Sequence, residues 1–108
     1  MEEMRPQAAW RPATDLHRCR SGWLVKFDLA GVRQEDIHVE VAGRLLTVSG
    51  LRRDWSVVDA EEAHQLEIAY SRFERAVEFP DPIADALVKT EYRDGMFLVQ
   101  IITQSSHE

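Results

Sequence analysis

The stretch Ile37-His38-Val39-Glu40-Val41-Ala42-Gly43-Arg44-Leu45-Leu46-Thr47-Val48 decides the fold of this chain. Its first half alternates, with Ile37, Val39 and Val41 on one side and His38 and Glu40 on the other. Strand side chains repeat with period two, so this is a half-buried β-strand. Ala42-Gly43 interrupts the run, and Leu45, Leu46 and Val48 begin a second strand. Two strands joined by a tight glycine turn read as an antiparallel hairpin. A lone hairpin does not hold in water, so the rest of the chain must cover its apolar face.

The chain has 108 residues, which is one domain and enough for one core without metal or disulfide. The single Cys19 cannot form an internal bridge. The start, Met1-Glu2-Glu3-Met4, is acidic and unlike a signal peptide, and no window is apolar and long enough to span a bilayer. A soluble, reducing, cytoplasmic location is therefore expected, with no membrane partner. The net charge of −6 argues against a nucleic-acid partner, which needs a basic surface.

Outward from the hairpin, more strands follow. Trp23, Val25, Phe27 and Leu29 alternate with Leu24, Lys26 and Asp28, and Ala30-Gly31 ends the run. Asp15 to Arg20 is ambiguous, with an edge strand as one reading. Val32 to Asp36 is a polar connection with room for one helical turn. Gln65 to Phe79 reads as a long strand or a bent pair: Leu66, Ile68 and Tyr70 alternate, then Phe73, Val77 and Phe79, with a parity slip that predicts a bulge near Ser71. Two prolines keep Pro80 to Asp85 out of any central strand. Leu87 to Tyr92 alternates again, Arg93-Asp94-Gly95 is a turn, and Met96 to Ile102 closes the set with Phe97, Val99 and Ile101 on one face. Trp10, alone in an otherwise polar arm, reads better as a plug over the core's edge than as a sticky surface residue.

Several of these elements together resemble the α-crystallin domain of small heat-shock proteins. They are Trp23-x-Val25-x-x-Asp28-Leu29-Ala30-Gly31-Val32, Glu35-Asp36-Ile37-x-Val39, Gly43-x-Leu45-x-x-Val48-Ser49-Gly50, Tyr70-x-x-Phe73-x-Arg75-x-Val77-x-Phe79-Pro80 and Tyr92-x-Asp94-Gly95-Met96-Phe97. The match spans about residues 10 to 102. It implies an all-β, immunoglobulin-like antiparallel sandwich, preceded by a short arm at residues 1–9 and followed by a polar tail at 103–108.

Leu51 to Glu62 is too long for a hairpin turn and holds an apolar island, Trp55-Ser56-Val57-Val58. From the residues alone, two readings stand equal: the island folds back on its own domain, or it adds a strand to a second chain. The resemblance implies the second, since bacterial and plant members exchange a strand from such a loop to form a dimer. Trp55, Val57 and Val58 are thus candidate dimer residues. Arg75 joins them because it shares a face with Phe73 and Val77 and must be partly buried or at an interface. Its partner stays open between an intersubunit carboxylate and an intrachain contact or snorkelling. Glu78 stands where many members carry a basic residue, so the family's ion-pair scheme does not transfer intact.

The resemblance also implies a groove that receives Ile-x-Ile tails of relatives. Alternation and resemblance together place Val39, Val41 and Leu87 along it and Lys89 at its rim. Nothing points to an enzyme: there is no phosphate loop, nucleophile elbow or metal-ligand spacing, and no cofactor is expected. Asp59, Glu61, Glu62 and His64 read as a solvated loop rather than a metal site, and Cys19 beside His17, Arg18 and Arg20 as an ordinary thiol. The function implied is ATP-independent holding of unfolding client proteins. Two rivals are an adaptor that lends its groove to a full-length relative and a CS-type co-chaperone module. The long apolar arm and Ile-x-Ile tail usual in relatives are missing here, so a homodimer is expected rather than a large shell.

Overall fold

The computed structural model describes residues 10–54 and 62–103. In it the Ile37–Val48 stretch forms the expected hairpin, β3 (Ile37–Ala42) and β4 (Leu45–Leu51). Val39 faces Val48, Val41 faces Leu46, and Ala42 faces Leu45 across the two-residue turn. Gly43 opens that turn at φ 60°, a left-handed conformation that favours glycine and matches the twist of hairpin strands. β5 (Arg72–Glu78) pairs with the other side of β4, completing a three-stranded sheet in the order β3-β4-β5.

The second sheet has four antiparallel strands in the order β1-β2-β7-β6: β1 (Thr14–Cys19), β2 (Gly22–Asp28), β6 (Leu87–Arg93) and β7 (Met96–Ile102). The segment that was ambiguous from Asp15 to Arg20 is thus an edge strand. Asp94 and Gly95, at φ 53° and 83°, make the turn that sets Tyr92 against Phe97 and Val88 against Ile101. A single 3-10 turn, Gln34–Asp36, occupies the polar connection before β3.

The core lies between the sheets. Val25 and Phe27 of β2, Leu46 and Val48 of β4, and Val99 and Ile101 of β7 are fully buried, each at 0 % exposure. Each such side chain contributes about 1.5–3 kcal/mol by leaving water. The connections are fastened as well as the strands. Tyr92 donates its hydroxyl hydrogen to the Val32 carbonyl at 2.6 Å, with the Leu29 carbonyl 3.0 Å away. Burial at this point raises the Tyr92 pKa. Ile83 is buried, and its amide donates to the Gly43 carbonyl at 2.8 Å, so the proline-bearing connection seals one end of the sandwich. At Gly50 a Cβ would stand 2.2 Å from the Asp36 carbonyl oxygen, so the backbone crossing there admits only glycine.

One expectation fails. The alternation from Gln65 to Tyr70 is not a strand; the strand runs only from Arg72 to Glu78. The β4–β5 ladder starts at Leu51 opposite Arg72, and no described strand lies alongside the residues before it. A strand needs a neighbour to take its backbone hydrogen bonds. Leu66 and Ile68 therefore stand 83 % and 63 % exposed, and Ser71 marks the entry to β5 rather than a bulge within a longer strand.

Candidate functional site

A two-sheet sandwich has two lateral openings, each flanked by one edge strand from each sheet. The Arg75–Pro12 and Trp10–Phe73 contacts put β5 beside the start of β1, so one opening lies between β1 and β5 and, by the strand orders, the other between β3 and β6.

The first is closed by residues 10–13. Trp10 makes a parallel bridge to Phe73, and its ring meets the Phe73 ring edge-on at 5.2 Å. The Trp10 amide donates to Ser71 Oγ at 3.1 Å. Pro12 is buried, and the Ala13 carbonyl accepts from the Asp28 amide at 3.0 Å, which carries the segment across to the other sheet. Trp10 is the plug that its isolation suggested. Arg75 belongs to this side. Register puts it on the inward face opposite Val48, half-buried, where its Nη1 donates to the Pro12 carbonyl at 2.6 Å. Its Nε is buried and without a partner among the described residues. Burial, and then the nearby Arg11, lower its pKa.

The second opening carries the groove residues. Val39 and Val41 lie on the inward face of β3, half-buried against the core. Leu87 and Lys89 fall on the outward face of β6, opposite Ile102 and Gln100, with Leu87 57 % exposed. The β6 residues that share the inward face are Val88, Thr90 and Tyr92. Val39 and Val41 thus share the inward side with Val88, whereas Leu87 and Lys89 point outward. The signal was available: the two-residue Asp94-Gly95 turn fixes the register and so places Val88 opposite Ile101. Trp55, Val57 and Val58, with Asp59 and Glu61 of the acidic cluster, lie outside the described residues.

The outer face of the three-stranded sheet bears an open depression of about 520 Å³, lined by Asp36, His38, Ser49, Arg53, Arg72 and Glu74 among others. Asp36 and Arg53 are committed to each other there. Among the described residues no three His, Cys, Asp or Glu side chains converge to hold a metal ion.

What this geometry defines is a β-sandwich with one lateral opening plugged by its own chain and an apolar furrow along the other. The particular lineage follows from comparison: the model of the Hsp20/alpha crystallin family matches residues 15–108, and the chain belongs to that family. It is 27 % identical over 90 residues to small heat shock protein C2 of Rickettsia felis, covering 83 % of this chain and 58 % of that one. Among solved structures it resembles HSP18.5 from E. histolytica, with TM-score 0.72, 25 % identity and coverage of 93 % of this chain and 94 % of that one. It also shares its fold with heat shock protein 16.0 from Schizosaccharomyces pombe, with TM-score 0.77, 23 % identity and coverage of 92 % and 94 %. The chain spans just over half the length of the first curated relatives it matches, at 58 %, 55 % and 55 %.

Proposed function

We propose that this chain is an ATP-independent chaperone that holds unfolding proteins, working as a homodimer in the cytoplasm. The observation that carries the reading is the unpaired apolar segment: Leu66 at 83 % and Ile68 at 63 % exposure, in a sandwich whose edge strands β1, β3 and β6 have no further strand beside them among the described residues. Two large aliphatic side chains two residues apart, in a segment with no ladder, suit strand addition to another chain. The exchange expected at Trp55, Val57 and Val58 extends on this view to Leu66–Tyr70, and the receiving edge is β1 of a second copy. Leu16 of β1 faces inward beside Val25, yet it is 44 % exposed, so apolar surface awaits cover there.

Holding a client requires no chemistry. A client's exposed apolar segment binds the furrow lined by Val39, Val41 and Val88, and the tail of a related small heat-shock protein fits the same place. Affinity for the unfolded client alone lowers its free concentration by mass action and so slows its aggregation. Cys19 is exposed and free, which suits a reducing compartment.

The test is heat aggregation of a model client followed by light scattering, with native mass in parallel. Suppression at near-stoichiometric ratio without nucleotide supports the reading. Inactivity alone, with activity gained on adding a full-length relative, would assign the adaptor role instead. A dimer that survives both deletion of residues 54–60 and Leu66→Asp/Ile68→Asp would sink the strand-exchange part.

A further inference from the structure

We propose that Arg52 is a positioning residue for partner uptake: it fastens the root of the β4–β5 connection to the arm at Trp10, so that arm docking and partner uptake favour each other. This rests on the reading above, in which a second copy takes up the Leu66–Tyr70 segment.

Arg52 is the first residue after β4, and its contacts converge from three parts of the chain. Its amide donates to the Ser71 carbonyl at 3.0 Å. Its Nε donates to the Ala69 carbonyl at 2.8 Å and its Nη1 to the Ala30 carbonyl at 3.2 Å. The guanidinium carbon lies 3.6 Å from the centre of the Trp10 ring, a close stack, and 6.0 Å from that of Tyr70. Trp10 in turn donates its amide to Ser71 Oγ. The connection thus leaves at Arg52 and returns through Ala69 to Ser71, tied to Arg52 at both points, with the arm lying on the same side chain.

All three side-chain-linked partners use the flat, forked shape of the guanidinium: two carbonyls at its edge and an indole on its face. A lysine ammonium cannot meet both demands at once. Ile68 precedes Ala69 directly, so fixing Ala69 limits the directions in which Leu66 and Ile68 project. A segment held at its root loses less conformational freedom when a partner takes it up. Linkage then works in both directions: whatever docks Trp10 on Arg52 strengthens partner uptake, and the partner strengthens docking of the arm by the same factor.

The test is native mass against concentration for the full chain and for Arg52→Ala, Trp10→Ala, their double variant and Leu66→Asp/Ile68→Asp, with hydrogen exchange at the Trp10 amide. Each single substitution at Arg52 or Trp10 is expected to raise the dimer dissociation constant about tenfold, within the usual range of coupling between sites. The double variant should go no more than about twofold beyond either, because coupled residues are not additive. Exchange at Trp10 should slow on dimerisation in the wild type and not in Arg52→Ala. Arg52→Lys keeps the charge and stem, gives a second variant should Arg52→Ala not fold, and should fall between the two. A dissociation constant for both Arg52 variants within about twofold of wild type, or single effects that multiply in the double variant, overturns the proposal. If Leu66→Asp/Ile68→Asp stays dimeric, the strand reading itself falls and the proposal with it. If that variant is monomeric while Arg52→Ala and Arg52→Lys dimerise normally, the role of Arg52 alone falls.

Discussion

The two openings of this sandwich are treated unequally. Between β1 and β5, four residues from Trp10 to Ala13 supply an apolar plug over the core and a bridge to the β5 edge, while the outer edge of β1 stays unpaired among the described residues. Between β3 and β6, Val39, Val41 and Val88 are only half-buried, and no described segment runs across them. The cores behind the two openings are continuous, so packing density does not explain the difference. What differs is whether the chain spends a segment of its own on closure. An edge that its own chain closes is protected from strand pairing; one left open offers both unpaired backbone and apolar surface to another polypeptide.

That contrast breaks most readily at Phe73, the floor under Trp10, which is 3 % exposed. Phe73→Ala should cost about 3–5 kcal/mol, as truncation of a buried aromatic ring generally does, and should free Trp10 as well. Urea unfolding measures the first effect, and exchange at the Trp10 amide the second. A loss under about 1 kcal/mol, far below the range for such truncations, would show that this contact does not close the first opening. On the other side, Val39→Ser should cost only about 1–2 kcal/mol, because the side chain is only partly buried. Its larger effect should be on binding: about tenfold weaker association with a labelled Ile-x-Ile peptide by fluorescence anisotropy, equal to roughly 1.4 kcal/mol. Unchanged affinity would remove Val39 from the furrow.

Much of this inequality could be read in the residues, and the rest could not for definite reasons. The hairpin, the Asp94-Gly95 turn and the inward set Phe97, Val99 and Ile101 follow from local periodicity and turn chemistry, which the chain carries within a few residues. Trp10 was legible as a plug because an indole in a polar arm has few other places to go. Leu66, Ile68 and Tyr70 misled because alternation reports a chemical pattern, whereas a strand also needs a neighbour, and neighbours are set by sequence-distant residues. Leu87 and Lys89 were drawn into the furrow by carrying family positions across without counting register through the turn. Arg52 gave no signal at all: an arginine after a strand looks solvated until Ala30, Ala69 and Trp10, from three separate stretches, are seen around it.

Arg75 sharpens the comparison from inside the closed opening. Its guanidinium is held by one carbonyl, and its Nε has no partner among the described residues. A half-buried cation of this kind is weak support for a fold, and an apolar replacement of similar length is often neutral or stabilising. Arg75→Met should therefore leave monomer stability within about 1 kcal/mol of wild type, or raise it. Native mass decides the question left open by the sequence. A weakened dimer with an intact monomer fits a carboxylate supplied by the second copy. A monomer destabilised by about 3 kcal/mol or more would instead mean that the charge is paired within its own chain.

The smallest effect concerns the base of the hairpin that borders the open side. Asp36 precedes β3 and Arg53 follows β4, and their side chains meet in two hydrogen bonds of 2.9 and 3.2 Å. The hydrogen bond from Arg53, more than its charge, holds the Asp36 pKa below the usual carboxylate value. A carboxyl whose folded pKa is depressed adds stability above its unfolded pKa, near about 4, and that contribution is lost as pH falls through the lower folded value. Arg53 is 54 % exposed, so water and salt reach the pair and keep the effect small. Asp36→Asn should accordingly flatten part of the acid limb of the melting-temperature profile below about pH 4, with little change at neutral pH. Added salt should shrink the difference between the two proteins, because the interaction it screens is the one that was removed. Profiles that superimpose at low salt would mean that the hairpin base is held by its ladder alone, and that nothing polar fastens the margin of the open side.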